Sequence, residues 1–253
     1  MIKFFRKIRQ KLINENRVQK YLLYAIGEIV LVVIGIVIAL QLNISYTNKQ
    51  SQNTIRQYLS ELNKEINQNT GIVTTELADL NRNIKTANKY LKTINTQTPN
   101  AVQDSTLRNM IARLGPSNLF PLANSVFEDF NSSGLINTIK NDSLKRDIIL
   151  IKTRINAYDF SKEELVESWN NQLLPYYTKN ADLMHVFDSI KSEKIPPNYI
   201  KLDRSVFINN KEFNNIIVNR MILSMRSLDR LENVKTRFEE LQKDINKYLE
   251  SND

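Results

Sequence analysis

The chain of 253 residues contains no cysteine, only five glycines and a single histidine. The missing cysteines exclude disulfides, thiolate nucleophiles and cysteine-ligated metals. So few glycines argue against a many-turned β-sandwich and against the glycine-rich loops that cradle phosphate. In "DLMHVFD", His185 has Asp182 and Asp188 three residues to either side. A metal centre needs three or four converging ligands, and a carboxylate-bridged di-metal bundle needs two Glu-x-x-His motifs, so no metal or other cofactor is expected. No Walker loop, GxSxG or HExxH pattern occurs, and no serine or threonine has an identifiable base. "KEELVE" (162–167) reads as a solvated charged face. The chain is therefore not expected to be an enzyme. The one catalytic option left is a carboxylate-only site, which would show two buried carboxylates converging in a cleft.

A net charge of +8 invites a nucleic-acid reading, but its distribution argues against one. Residues 1–20 hold seven Lys/Arg (Lys3, Arg6, Lys7, Arg9, Lys11, Arg17 and Lys20) against Glu15 alone. Everything after residue 44 carries only +3. A nucleic-acid domain should carry a basic stripe on its folded body, so no nucleic-acid partner is expected. "MIKFFRKIRQKL" sets Met1, Phe4, Phe5, Ile8 and Leu12 on one helical face with Lys3, Arg6, Lys7, Arg9 and Lys11 around it. That pattern suits an amphipathic helix on anionic lipid, and equally a simple topogenic charge cluster.

Next comes "YLLYAIGEIVLVVIGIVIALQLN" (21–43), whose 19 residues from Leu22 to Leu40 are apolar but for Glu28. As an α-helix at ~1.5 Å per residue they extend ~28 Å, about the hydrocarbon thickness of a bilayer. A helix satisfies its own backbone and so can cross lipid alone. Tyr21 and Tyr24 stand near one end, where amphipathic rings favour the interface. The rival reading is a cleaved signal peptide. It would need a 28-residue charged region, and "ALQLNISYT" offers no small-x-small cleavage site. The uncleaved anchor is therefore expected. Seven Lys/Arg precede the span and Lys49 alone follows it within 12 residues. The positive-inside bias puts the N-terminus in the cytoplasm and residues 45–253 outside. In a Gram-negative bacterium that compartment would be the periplasm, so an inner-membrane protein with a periplasmic or other extracytoplasmic domain is expected.

An acid ~10 Å into the apolar layer costs roughly 2.5–3.5 kcal/mol on insertion scales. Gly27, Gly35 and Ala39 line one face, Gly35-x-x-x-Ala39 is a small-xxx-small pattern, and Glu28 borders it. Three readings of Glu28 stand side by side. It can be a snorkelling acid that the bilayer tolerates, or a hydrogen-bonding group in a helix–helix contact. It can also be part of a proton or ion relay, for which a lone helix has no second ionisable group. The contact reading names Gly27, Glu28, Gly35 and Ala39, and a membrane-protein partner or a second copy.

The rest is helical by period. Apolar residues recur in threes and fours at Ile55, Leu59, Leu62, Ile66, Val73, Leu77, Leu80, Ile84, Ala87, Leu91 and Ile94, a coiled-coil-like seam. Asn69 and Thr70 interrupt it, Gly71 is a candidate bend, and "NTQTPN" (95–100) ends it. A second run goes from Leu144 to Ile190, read as one long helix kinked near Pro175, with Lys162 at a seam position. "SKEE" (161–164) is a capping-box pattern that would instead begin a fresh helix. A third run, Phe213 to Leu249 by way of Met221 and Leu228, follows the capping asparagines of "INN" (208–210). Shorter helices are predicted in "DSTLRNMIARL" (104–114), with a cap, and in "FPLANSVFEDF" (120–130), with Gly134 as C-cap. "IPPNYIKL" (195–202) should be extended. The expected fold is all-α: a single transmembrane helix, then an antiparallel bundle of three long helices plus short ones. Its parts are a basic segment (1–20), a span (21–43) and an exported domain (45–253). Trp169 and the Tyr176–Tyr177 pair read as core first and as pocket lining second.

The stretch "MIKFFRKIRQKLINENRVQKYLLYAIGEIVLVVIGIVIALQLN" resembles the opening of a bacterial domain-of-unknown-function family of small single-pass envelope proteins. Those proteins share a basic "FFRKIR" segment followed by a "KYLLYAIGEIVLVVIGI"-type span. Farther on, "LINTIKNDSLKRDI" and "NNKEFNNII" resemble recurrent family stretches more loosely. Family members often carry a Trp soon after the span, whereas Ile44 and Ser45 follow Asn43 here. The resemblance implies a membrane location and no activity. The function expected is a non-catalytic, membrane-tethered helical module that contacts other envelope proteins. The alternative is an extracytoplasmic ligand-sensing domain acting through a separate membrane partner. A sensor should show a concave pocket near Trp169 or Tyr176, and a scaffold an exposed apolar stripe.

Overall fold

A computed structural model describes residues 18–96, 101–115, 120–183 and 203–251. About 89% of these are helical and none is in a strand, so the chain is all-α. It divides into two compact units, Met1–Gln57 and Tyr58–Asp253. The division falls inside the first helix, α1 (Val18–Thr96). This helix passes through Asn69, Thr70 and Gly71 without a break, where the sequence suggests an interruption. Its threonines satisfy themselves on the preceding turn: Thr47, Thr54, Thr70, Thr74 and Thr86 each donate to the carbonyl four residues back. In the first unit, the side chains from Leu22 to Tyr46 face outward almost throughout.

In the second unit α1 buries a strict 3.5-residue repeat: Leu59, Leu62, Ile66, Asn69, Val73, Glu76, Leu80, Ala87, Tyr90 and Ile94, with Asn83 half-buried in register. In the second half of the predicted seam Val73, Leu80, Ala87 and Ile94 hold their places, and the positions between them shift by one residue. Leu77, Ile84 and Leu91 are only half-buried, and Glu76, Asn83 and Tyr90 take the inner positions. The polar ones act as clamps on the chain that returns beside α1. Asn69 meets the Ala123 backbone twice, accepting from its N–H at 2.8 Å and donating to its carbonyl at 2.8 Å. The Glu76 carboxylate accepts from Phe120 N–H and from the Tyr158 hydroxyl. The Glu65 carboxylate accepts from Val126 N–H (2.9 Å) and Ser125 Oγ (3.1 Å), capping α3 (Ser125–Ser132) from another helix.

The predicted side-chain cap on the 104–114 helix is not made. α2 (Asp104–Arg113) starts after Gln103 with no side-chain cap, and Asp104 pairs instead with Arg204. The 120–130 helix is shorter than predicted: Phe120 to Asn124 stay outside it, with the backbone of Phe120 and Ala123 bonded to Glu76 and Asn69 of α1. Gly134 follows α3 in the left-handed region (φ 72°), as a helix stop requires.

α4 (Asp142–Ser168) begins on Asn141, whose Oδ1 accepts from Leu144 N–H at 3.1 Å. It runs through "SKEE" unbroken, with Ser161 in the seam and Lys162 beside it, paired with Asp159 (2.8 Å). A π-turn (Trp169–Leu173) then leads into α5 (Leu174–Asn180). The extra residue of that turn places Leu173 rather than Gln172 in the core and loosens the helix ahead of Pro175, which has no N–H to give. The single helix predicted to Ile190 instead stops at Asn180. Its Nδ2 donates to the Tyr176 carbonyl (2.9 Å), and Ala181 is extended. Residues 184–190, with His185, and "IPPNYIKL", expected to be extended, lie outside the described residues.

α6 (Lys211–Glu250) starts on Asn210, whose Oδ1 accepts from Phe213 N–H at 3.0 Å. It too buries a 3.5-residue repeat, from Phe213 to Ile245, but through Arg220, Ser224 and Ser227 rather than the predicted Met221 and Leu228. Asn63 bonds to Asn246, Asn67 to Gln242 and Tyr90 to Asn214, so numbers fall along α6 as they rise along α1. Against α4, Arg226 meets Glu164 and Ser227 meets Ser161, again in opposite sense.

Candidate functional site

The predicted membrane contact residues lie on α1 in the first unit. Leu22, Ile29, Val33, Ile36 and Leu40 are more than half exposed, and the best 18-residue window has a mean hydropathy of 2.7 with none of it buried. The helix thus contains one stretch long and apolar enough to cross a membrane. A Cβ added at Gly27 or Gly35 would meet no atom within 4 Å. Gly35 and Ala39 are exposed, while Glu28 is half-buried and has an interaction partner. Lys3, Arg6, Lys7, Arg9 and Lys11 lie outside the described residues.

The carboxylate-only site would need two buried acids together. Glu65 and Glu76 are the buried carboxylates among the described residues, and they sit eleven positions apart on one helix, ~16 Å. Each is committed to a different part of the returning chain. Burial pushes the Glu76 carboxyl above its ordinary range, and the hydrogen bonds from Tyr158 and Phe120 oppose that rise. Tyr158 is raised in turn, by burial first and then by the Glu76 acceptor. This is a structural pairing of a carboxyl with a phenol. No group of three His, Asp or Glu able to hold a metal occurs among the described residues.

Trp169, Tyr176 and Tyr177 belong to an aromatic core with Tyr90, Phe207 and Phe213. Their ring centroids lie 5.0 to 6.2 Å apart, many of them edge-on. Each buried phenol gives its proton to a backbone carbonyl: Tyr90 to Phe207, Tyr176 to Val206 and Tyr177 to Ile111. Arg220 enters this core from α6. Its guanidinium donates to the carbonyls of Leu165 (3.2 Å) and Gly115 (3.3 Å) and lies 5.9 Å from the Trp169 ring centre. Burial lowers its pKa, and the Tyr177 phenol opposes that shift.

On the outer side of the same core, the π-turn, α5 and the start of α6 line an open groove of ≈ 530 Å³. Pro175, Tyr176 and Ile216 form its apolar part, and Asn171, Gln172, Asn180, Asn215 and Asn219 supply carboxamides from both helices. Lys179 and Glu212 add one charge of each sign. Tyr176 is pushed up to about 12, by burial and then by the Glu212 carboxylate. Sequence reasoning singled out Tyr176 alone here. The asparagines read as compositional bias, although Asn215 and Asn219, four apart on one helix, share a face. No family model matches the chain, and no curated protein or solved structure matches it either.

Proposed function

We propose that this chain is a non-catalytic, membrane-tethered helical module that contacts other cell-envelope proteins. The observation that carries the reading is the outward-facing apolar run of α1, from Leu22 to Ile44, which water would not solvate and a bilayer would. The resemblance of residues 1–44 to single-pass envelope proteins supports the same location. In this reading the basic residues stay on the cytoplasmic side of a bacterial inner membrane, and residues 45–253 stand outside it. The exported part is a helical bundle in which α6 opposes both α1 and α4. The chain between α1 and α4 returns along α1, so those two helices run in the same sense. Gly27, Gly35 and Ala39, with Glu28 at their border, form the face that meets a membrane-protein partner or a second copy.

Affinity purification in mild detergent with mass spectrometry tests this, comparing wild type with Gly35→Leu and Glu28→Gln. Gly35→Leu should reduce recovery of the helix-bound partner by about tenfold, ~1.4 kcal/mol, while leaving the melting of the exported domain unchanged. Equal partners and equal oligomer size in both variants reject the contact face. The groove beside Tyr176 favours a second reading, a ligand-sensing domain that signals through a separate membrane partner.

A further inference from the structure

We infer that Phe120–Asn124 is a strap that lifts from α1 as one unit, and that its closure takes up one proton, held between Glu76 and Tyr158. Four of the five strap residues are exposed, Phe120 by 52%, and Leu122 alone is buried. The strap is fastened by its backbone to polar side chains of α1. Phe120 N–H donates to Glu76, and Ala123 forms the reciprocal 2.8 Å pair with Asn69. Glu65 holds the next residues separately, by capping α3 at Ser125 and Val126. A segment with one buried apolar side chain opens more readily than the packed seams of α1, α4 and α6. Behind Ala123 and Asn124 a crevice of ≈ 10 Å³ reaches Ile66, Ile151, Ile155 and Phe238, so the closed strap leaves room for a single water at most.

The proton enters through Glu76. With the strap closed its carboxyl is fully buried in the α1 seam. The charges that act on it come from α4, where Lys162 and Asp159 oppose one another and are paired at 2.8 Å. Beside Tyr158, Arg230 of α6 donates to the Ala157 carbonyl (3.0 Å) and lies 4.0 Å from Glu164. On α1 itself Asp79 is paired with Arg82. The strap contributes an N–H and no charge. Burial therefore prevails and holds the carboxyl above its ordinary range. The phenol suits both states of the acid: its hydroxyl donates to the carboxylate, and its oxygen accepts from the acid O–H once the phenol hydrogen has turned away. Lifting Phe120 lets water reach Glu76, which then gives its proton to water. Closure binds a proton between the ordinary value of 4.5 and the raised one, and none above it. The strap is thus tightest in acid and loosens as pH rises through that range.

The device lies wholly within the second unit and goes beyond the membrane reading, so its test and that of Gly35→Leu fail independently. Amide hydrogen exchange of full-length protein in mild detergent is followed from pH 4.5 to about 8, with each rate divided by the intrinsic rate at that pH. Mass spectrometry with single-residue fragmentation resolves the amides. Protection of Phe120 and Ala123 should fall together, by up to about tenfold per pH unit, and then level off, while buried Ile148 and Ile151 keep theirs. Glu76→Gln should abolish the slope. Asn69→Ala should speed Phe120 as well as Ala123, by about tenfold, although Asn69 bonds only to Ala123. That second variant reads the joint lifting whether or not Glu76→Gln folds, and melting curves check both. Flat protection in wild type, a slope that survives in folded Glu76→Gln, or an Asn69→Ala effect confined to Ala123 overturns the inference.

Discussion

Glu76 is the residue whose behaviour follows most directly from its surroundings. It is fully buried, accepts from a phenol and a backbone N–H, and has its pKa raised chiefly by burial. A carboxyl whose folded pKa lies above its unfolded one binds more protons when folded. Its contribution to stability is therefore fully present below the unfolded pKa and is lost as pH rises through the folded one. Glu76→Gln removes the titration. The melting temperature of wild type relative to Glu76→Gln should rise as pH falls from neutrality to the ordinary glutamate value of 4.5. A difference that stays flat, or falls, over that range would show that Glu76 is not held above its ordinary pKa. Asn69 gives a second residue-scale prediction. Asn69→Leu leaves the Ala123 N–H and carbonyl without their partner, which costs about 1–3 kcal/mol in urea unfolding and should speed hydrogen exchange at Ala123. Unchanged exchange there would mean that Asn69 does not hold the segment.

At the scale of elements, the sequence shows which stretches are helical and roughly where they stop. α1 ends at Thr96, ahead of Pro99, and α6 starts on the predicted asparagine cap. What it conceals is which side faces inward. On α1 the apolar residues Leu77, Ile84 and Leu91 mimic a seam one residue away from the true one. The true seam holds Asn69 and Glu76, whose polar atoms are satisfied by backbone 54 and 44 residues distant and, for Glu76, by Tyr158 82 residues away, so no local pattern reports them. α6 repeats the lesson, with Arg220, Ser224 and Ser227 inside and Val218, Ile222 and Met225 outside. A hydrophobicity count assigns those faces the other way round. The π-turn at Trp169–Leu173 is legible only in part. Pro175 signals an irregularity, but the need to bring Leu173 instead of Gln172 inward comes from packing. The groove was hidden for a related reason: its amides come from the π-turn and α5 on one side and from α6 on the other, and each alone is an ordinary surface amide.

At the scale of the whole molecule, one length of helix has two kinds of surface. Its apolar outward-facing part has the dimensions of a membrane span, and its later part is the seam helix of a packed all-α unit. The proposal that the former stays in the bilayer, with the rest outside the cytoplasm, underlies the partner reading. The absence of cysteine makes that proposal directly measurable, since an introduced thiol is the sole target for a maleimide. Lys11→Cys and Thr47→Cys are made separately and treated with a membrane-impermeant maleimide in intact spheroplasts. The account predicts that Thr47→Cys is labelled in intact cells and Lys11→Cys only after lysis. Labelling in the reverse sense, or mature protein lacking residue 11 altogether, would contradict it.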